Sequence, residues 1–171
     1  MSEGDADAQD RSNGPEHTAD GHHIVVDGRR WRATDPSIPE NLRQELVDEL
    51  MSARRAVKAH ESDARRRVQD AKTALGERGR PWWESREGVD FDDRIAAAVR
   101  TLVRKRSESS ICPSDVARTV GGASWRALMP DVRRVAAELA DRDEVVVTQK
   151  GTVVSIREAR GPVRITRGSG L

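Results

Sequence analysis

The side chains best suited to chemistry in this chain are cationic. Arg126, Arg133 and Arg134 fall in one short stretch, and Lys150 follows between two β-branched runs. An arginine fork matches guanine O6/N7 or a phosphate, and a lysine supplies a point charge to a nearby backbone phosphate. Ser124 stands just ahead of the arginines, where it can cap a helix N-terminus and donate to a polyanion. These five residues are the candidate nucleic-acid contacts. The alternative reading is a solvated face, with Arg133 and Arg134 pairing to Glu138 or Asp131.

Other reactive types lack partners at useful spacing. No Ser-His-Asp signature, phosphate-cradling glycine loop or zincin pattern occurs, so a non-enzymatic protein without cofactor is expected. Cys112 precedes Pro113 at a helix start, where a thiol pKa can fall. No neighbouring base is supplied, which favours a cap or a small buried residue. His22-His23 has no further ligands at metal spacing, so no metal is expected. Trp82-Trp83 can stack on bases or close the core between two halves of the chain. Core closure is favoured, because two free indoles would leave an apolar patch. Arg29-Arg30-Trp31-Arg32 and Arg65-Arg66-Arg67 read as solvated faces or anion sites, the first being the better anion candidate.

The elements that must position the cationic set can be read from periodicity. Cys112-Pro113-Ser114-Asp115 opens a short helix with proline at its first position. Val116, Ala117 and Val120 form its apolar side, and Gly121-Gly122 end it. Trp125, Leu128, Val132, Val135 and Leu139 then share one face of a longer helix, which puts Arg126 and Arg133 together on the outer face. Pro130 removes a helical hydrogen bond. The regular helix can therefore begin near Pro130, which would displace Arg126. Val145–Thr148 and Thr152–Val154 make a hairpin across Lys150-Gly151, and Val163-Arg164-Ile165 is a candidate third strand. Helix, turn, helix and hairpin in this order are the layout of a winged helix.

Upstream, Ile24-Val25-Val26 and Arg29–Arg32 flank Asp27-Gly28, a second hairpin signal. The spacing of Leu42, Leu46, Leu50, Ala53 and Val57 predicts a helix over Glu40–Lys58. Ala64, Val68, Ala71 and Leu75 predict another over Ser62–Leu75, stopped by Gly76. Ile95, Val99 and Leu102 predict a third over Asp92–Arg104. The fold class expected is mostly α with small β-hairpins (α+β): an N-terminal β-hairpin plus helical hairpin, then a C-terminal winged helix. The expected divisions are an unstructured acidic tail at 1–21, the hairpins at 22–85, a linker at 86–90, the winged-helix-like domain at 91–167 and a frayed end at 168–171.

Composition agrees with a polyanion binder. The chain has 171 residues, 36% hydrophobic and 35% charged, with net charge +1. Residues 1–21 hold six acidic residues, one basic residue and no large aliphatic or aromatic side chain, too little apolar surface to order a chain. Residues 91–171 carry 15 basic against 10 acidic residues, so the positive excess lies on the winged segment. The tail reads as a solvated terminus, the alternative being that it folds back transiently on that basic face at low salt. One Phe, four Trp and no Tyr argue against an extended base-stacking platform. No apolar run reaches membrane-spanning length and no signal-peptide pattern opens the chain. With a single cysteine, a cytoplasmic setting is expected.

The runs Cys112–Arg118, Trp125–Pro130 with Val132-Arg133, Gln149-Lys150-Gly151 and Arg160–Arg164 resemble an uncharacterised bacterial domain family with a winged-helix-like fold, over about residues 91–167. The segment His22–Pro36 with Ala74–Gly79 resembles one found fused to that domain, and such chains sometimes carry the label "biopolymer transporter Tol". The resemblance implies a fold and no activity. Two functions follow as expectations: binding of double-stranded DNA through the second helix and the wing, or a protein–protein adaptor using the winged helix and the helical hairpin. On either, Trp125→Ala is expected to be among the most damaging single changes.

Overall fold

The computed structural model describes residues 14–171. It is an α+β structure of two compact units, one ending at Ala33 and the other spanning Thr34–Leu171.

The first unit is an antiparallel sheet in the order β1-β2-β3, with β1 at Glu16–His17, β2 at His23–Val26 and β3 at Arg29–Arg32. Asp27 and Gly28 have φ of 50° and 73°, the primed turn that Asp-Gly favours, and Val26 pairs with Arg29 across it. Strand β1 is not expected from sequence. Of the tail read as unstructured, residues 1–13 lie outside the described residues, whereas Glu16 pairs with Val25 and His17 with Ile24. Side chains make the connecting turn. Thr18 Oγ1 donates to Asp20 Oδ1 at 2.6 Å, the His22 amide donates to Asp20, and the His23 amide donates to Thr18 Oγ1. Such local side-chain bonds leave no apolar periodicity to detect.

The second unit is organised by one helix. α1 (Glu40–Lys58) and α2 (Ala64–Ala74) pack on α3 (Val89–Lys105), and so do α4 (Pro113–Gly121) and α5 (Met129–Asp141). α3 is buried on nearly every side, through Phe91, Ile95, Ala97, Ala98, Val99, Leu102 and Val103. Apolar side chains on several sides of one helix need cover on each of them, and its buried Arg94 and Arg104 are paired to Asp35 and Asp70. The expected linker at 86–90 is therefore no boundary: Leu42, Leu46 and Leu75 share one core with Val116, Val135 and Ile165. Asp90 and Asp92 in the first turn of α3, with Arg104 and Lys105 in the last, suit the helix dipole.

The predicted face of α1 holds, with Leu42, Leu46, Leu50 and Ala53 inward; on the α2 side Ala64, Ala71 and Leu75 are buried as expected, while Val68 is half-buried and Ala74 joins the inner face. Val57 is half-buried and Ala56 takes the inner position. Gly76, at φ 79°, follows α2.

The C-terminal sheet has the order β5-β4-β6, from β4 (Val145–Gln149), β5 (Thr152–Val153) and β6 (Arg164–Arg167). Thr148 faces Val153 and Gln149 faces Thr152, and Lys150-Gly151 turn with φ of 52° and 82°. Ile111, just before α4, bridges Ile165 of β6. Residues 168–171, expected to fray, are instead held. The Gly168 amide donates to Glu144 O, the Gly170 amide donates to Asp143 O, and Leu171 is buried. Glycine permits this approach, since a Cβ on Gly168 would stand 2.1 Å from the Asp143 carbonyl oxygen.

Candidate nucleic-acid interface

Between α4 and α5 the chain forms a 3-10 stretch, Gly122–Leu128, and regular helix resumes only at Met129 with Pro130 in its first turn. Proline suits that position, where no helical hydrogen bond is lost. Gly121 makes the tight entry possible, because a Cβ there would lie 2.8 Å from Leu128 Cδ1 and 3.1 Å from Trp125 Cβ. Trp125 therefore leaves the apolar stripe. It is half-buried at the rim of the core, while Val132, Val135 and Leu139 carry the buried face of α5. Ser124 is exposed and makes no capping bond, so its expected capping role is not realised.

The structure separates the candidate arginines. Arg126 is exposed on the 3-10 stretch, its guanidinium carbon 4.5 Å from the Trp125 ring centroid. Arg118, from α4, stands 4.7 Å from the same centroid. Two guanidiniums on one indole gain cation–π attraction and remain at the surface. Arg118 escaped the sequence reading because only the 3-10 geometry brings Trp125 to it.

Arg133 is not on an outer face with Arg126. It is half-buried, and its Nη2 donates to the carbonyls of Ile156, at 3.0 Å, and Ala159. The irregular segment between β5 and β6 leaves carbonyls without ladder partners, and Arg133 satisfies two of them. Arg134 is exposed and surrounded by carboxylates: Nη2 reaches Asp92 at 2.8 Å and Asp131 at 3.3 Å, and Nη1 reaches Glu138 at 3.3 Å. The hydrogen bond to Asp92, with Asp131 beside it, raises the pKa of Arg134 above the ordinary arginine value. Beyond Arg134, the solvent side of α5 offers Asp131, Glu138 and Asp141, the last paired to Arg157 at 2.6 Å. The Arg157 bond holds the Asp141 carboxyl below its usual range.

Lys150 is exposed at the first position of the β4–β5 turn. Gln149 Nε2, next to it, donates to the carbonyls of Arg160 and Pro162 and ties the long connection to the base of that turn.

Of the other groups, Trp82 and Trp83 meet edge to face at 5.1 Å and are half-buried outside the core. Trp82 covers the Gly76 turn, where a Cβ would lie 3.0 Å from its ring, and neither indole belongs to the core that joins the two halves. Arg67 is bound by Glu49 and Ser52, whereas Arg65 and Arg66 are exposed. Cys112 is a half-buried free thiol, and its amide donates to Asp115 Oδ2. Among the described residues no cluster of three or more His, Cys, Asp or Glu is placed to hold a metal ion, and no helix is long and apolar enough to cross a membrane.

Residues 92–168 match a family described as a protein of unknown function (DUF3253). This match agrees with the resemblance to an uncharacterised family seen in the sequence over about the same residues. No curated protein matches the chain.

Proposed function

We propose that the segment from α3 to β6 is a winged helix that binds double-stranded DNA through phosphate. The observation that carries this reading is the pair Arg118 and Arg126 held on Trp125 beside the start of α5. Lys150 supplies a further exposed cation at the hairpin turn. The Ile111–Ile165 bridge adds a third pairing to the sheet, as a winged helix requires. The face of α5 argues for weak sequence discrimination, because its one exposed arginine is already bound by three carboxylates. Ser124 stands exposed in the same 3-10 stretch as Arg126 and can donate its hydroxyl to a phosphate.

Titration of labelled duplex across a salt series tests this. With about three phosphates neutralised, log K falls against log salt with a slope near −2.7, and Arg118→Ala with Arg126→Ala makes it shallower by about 1.8. An absence of binding at low salt ends the proposal.

The same acidic face of α5 supports a second reading, a protein adaptor. Four carboxylates there, Asp92, Asp131, Glu138 and Asp141, share the two arginines Arg134 and Arg157, and the acidic excess suits a basic partner. Affinity capture from lysate with and without nuclease separates the two: partners lost on nuclease treatment favour DNA, and partners retained favour the adaptor.

A further inference from the structure

Residues 49–78, the end of α1 with α2 and its exit, hold eight cations and five carboxylates. Two of the carboxylates, Glu49 and Asp70, are buried and bound by Arg67 and Arg104. Glu61 and Asp63, at the turn between the helices, also lie against Arg67. Glu77 accepts the Thr34 hydroxyl at 2.8 Å. The cations on the outer side are left over. Among the described residues Arg54, Lys58 and Arg65 are exposed and enter no ion pair, and Arg78 donates to the neutral Gln69.

These cations share one side of the hairpin. Arg54 and Lys58 lie one turn apart on α1, away from the inward Leu42, Leu46 and Ala53. Arg65 and Lys72 lie two turns apart on α2, away from the inward Ala71 and Ala74. Lys72 ties the two rows together: burial lowers its pKa, and Arg78 and Arg54 lower it further against the pull of Glu77. Like charges at i and i+4, as in Arg54 and Lys58, destabilise a helix. Arg65, Arg66 and Arg67 stand in the first turn of α2, where the dipole favours acidic residues and none is present. The fold gains nothing from this ridge of charge, and a polyanion relieves it. Among the described residues Met51 is the one exposed large apolar side chain of the two helices. Such a surface suits a phosphate backbone better than a lipid layer or an apolar anchor.

The ridge is remote from the first DNA contacts. The 3-10 stretch that carries Arg126 starts against Ser37, just before α1, where a Cβ on Gly122 would lie 3.2 Å from that serine. Lys58 is at the other end of α1, a 19-residue helix about 28 Å long. We propose that the outer side of the α1–α2 hairpin is a second surface for duplex DNA, with Arg54, Lys58 and Arg65 on phosphates, so that one chain holds two duplexes at once. The proposal rests on the DNA reading above for the first of them.

A duplex fixed to beads is loaded with the full chain at low salt, and a second, fluorescent duplex is then added. The parent chain is expected to retain the second duplex. The triple variant Arg54→Ala, Lys58→Ala and Arg65→Ala, changed only at exposed positions, is expected to load on the fixed duplex and to retain about tenfold less of the second. Circular dichroism melts confirm that each chain folds. A parent chain that loads but retains no second duplex, or a triple variant that retains as much as the parent, overturns the proposal and leaves the DNA reading standing. Retention unchanged in Arg118→Ala with Arg126→Ala overturns the first contact instead, and a chain that loads on no duplex ends both.

Discussion

Arg94 Nη2 donates to Asp35 Oδ2 at 2.8 Å with both side chains almost wholly out of solvent, 5% and 1% exposed. Asp35 Oδ1 accepts from the amide and the hydroxyl of Ser37, and the Asp35 amide donates to Leu75 O. Burial lowers the pKa of Arg94, against the pull of Asp35. The pair thus links the entry to α1 with the centre of the unit. Removing one partner of a buried pair strands the other charge and costs about 3–5 kcal/mol. Asp35→Ala and Arg94→Met are each expected to show that loss in urea melts. The double variant is expected to lose less than the sum, and strict additivity would show that the two charges do not depend on each other.

Trp125→Ala is expected to be milder than its place in the sequence suggests. A half-buried indole on the surface of the core gives up about 1–2 kcal/mol of burial, whereas Leu139→Ala, fully inside, costs about 2–5 kcal/mol. Thermal midpoints of the two variants rank them. A larger loss for Trp125 would return it to the core.

Arg133→Ala is expected to loosen the connection between β5 and β6, because carbonyls of Ile156 and Ala159 lose their donor. Charged hydrogen bonds of this kind contribute about 1.5–3 kcal/mol. Hydrogen exchange should rise in residues 154–163 and not in α1. An Arg133→Ala protein with unchanged protection and weaker DNA binding would make Arg133 a direct contact.

Glu144 predicts the acid side of stability. A hydrogen bond from Arg100 at 2.5 Å lowers its pKa, against burial, with Arg142 also contributing. A carboxyl depressed in the folded state stabilises above its unfolded pKa, near 4.3, and that stability is lost as pH falls through the folded value. Urea midpoints between neutrality and pH 3 should therefore fall less steeply for Glu144→Gln than for the parent chain. Parallel curves would remove Glu144 from the acid transition.

Much of this architecture is written in periodicity. Leu42, Leu46 and Leu50 mark α1 to its ends, and Asp27-Gly28 and Lys150-Gly151 mark both tight turns, because turn chemistry and helical spacing are local properties. The 3-10 stretch is signalled only by Pro130, which warns that Arg126 stands off the helix without saying where it goes. Arg133 and Arg134 differ by one position and end in opposite circumstances, one on carbonyls and one among carboxylates. Which of them faces solvent depends on how the 154–163 connection and Asp92 pack against α5, and these are long-range facts. The match of Arg118 to Trp125 is hidden for the same reason. The expected break at 86–90 failed because Gly88 and the charges around it look like a linker, while the apolar surface of α3 that joins the halves lies just beyond.

α3 has one more consequence. The segment similar to other proteins starts at residue 92, three residues inside a helix that begins at Val89. Severed there, the remainder would present a bare flank of α3 to water. Arg94 and Arg104 would be stripped of Asp35 and Asp70, and Arg106 of the Glu45 it grips at 2.7 Å. The stretch that matches the family and the stretch that closes the core are therefore different lengths of chain, and the helical pair before residue 90 supplies a wall of the core that the matched stretch does not contain.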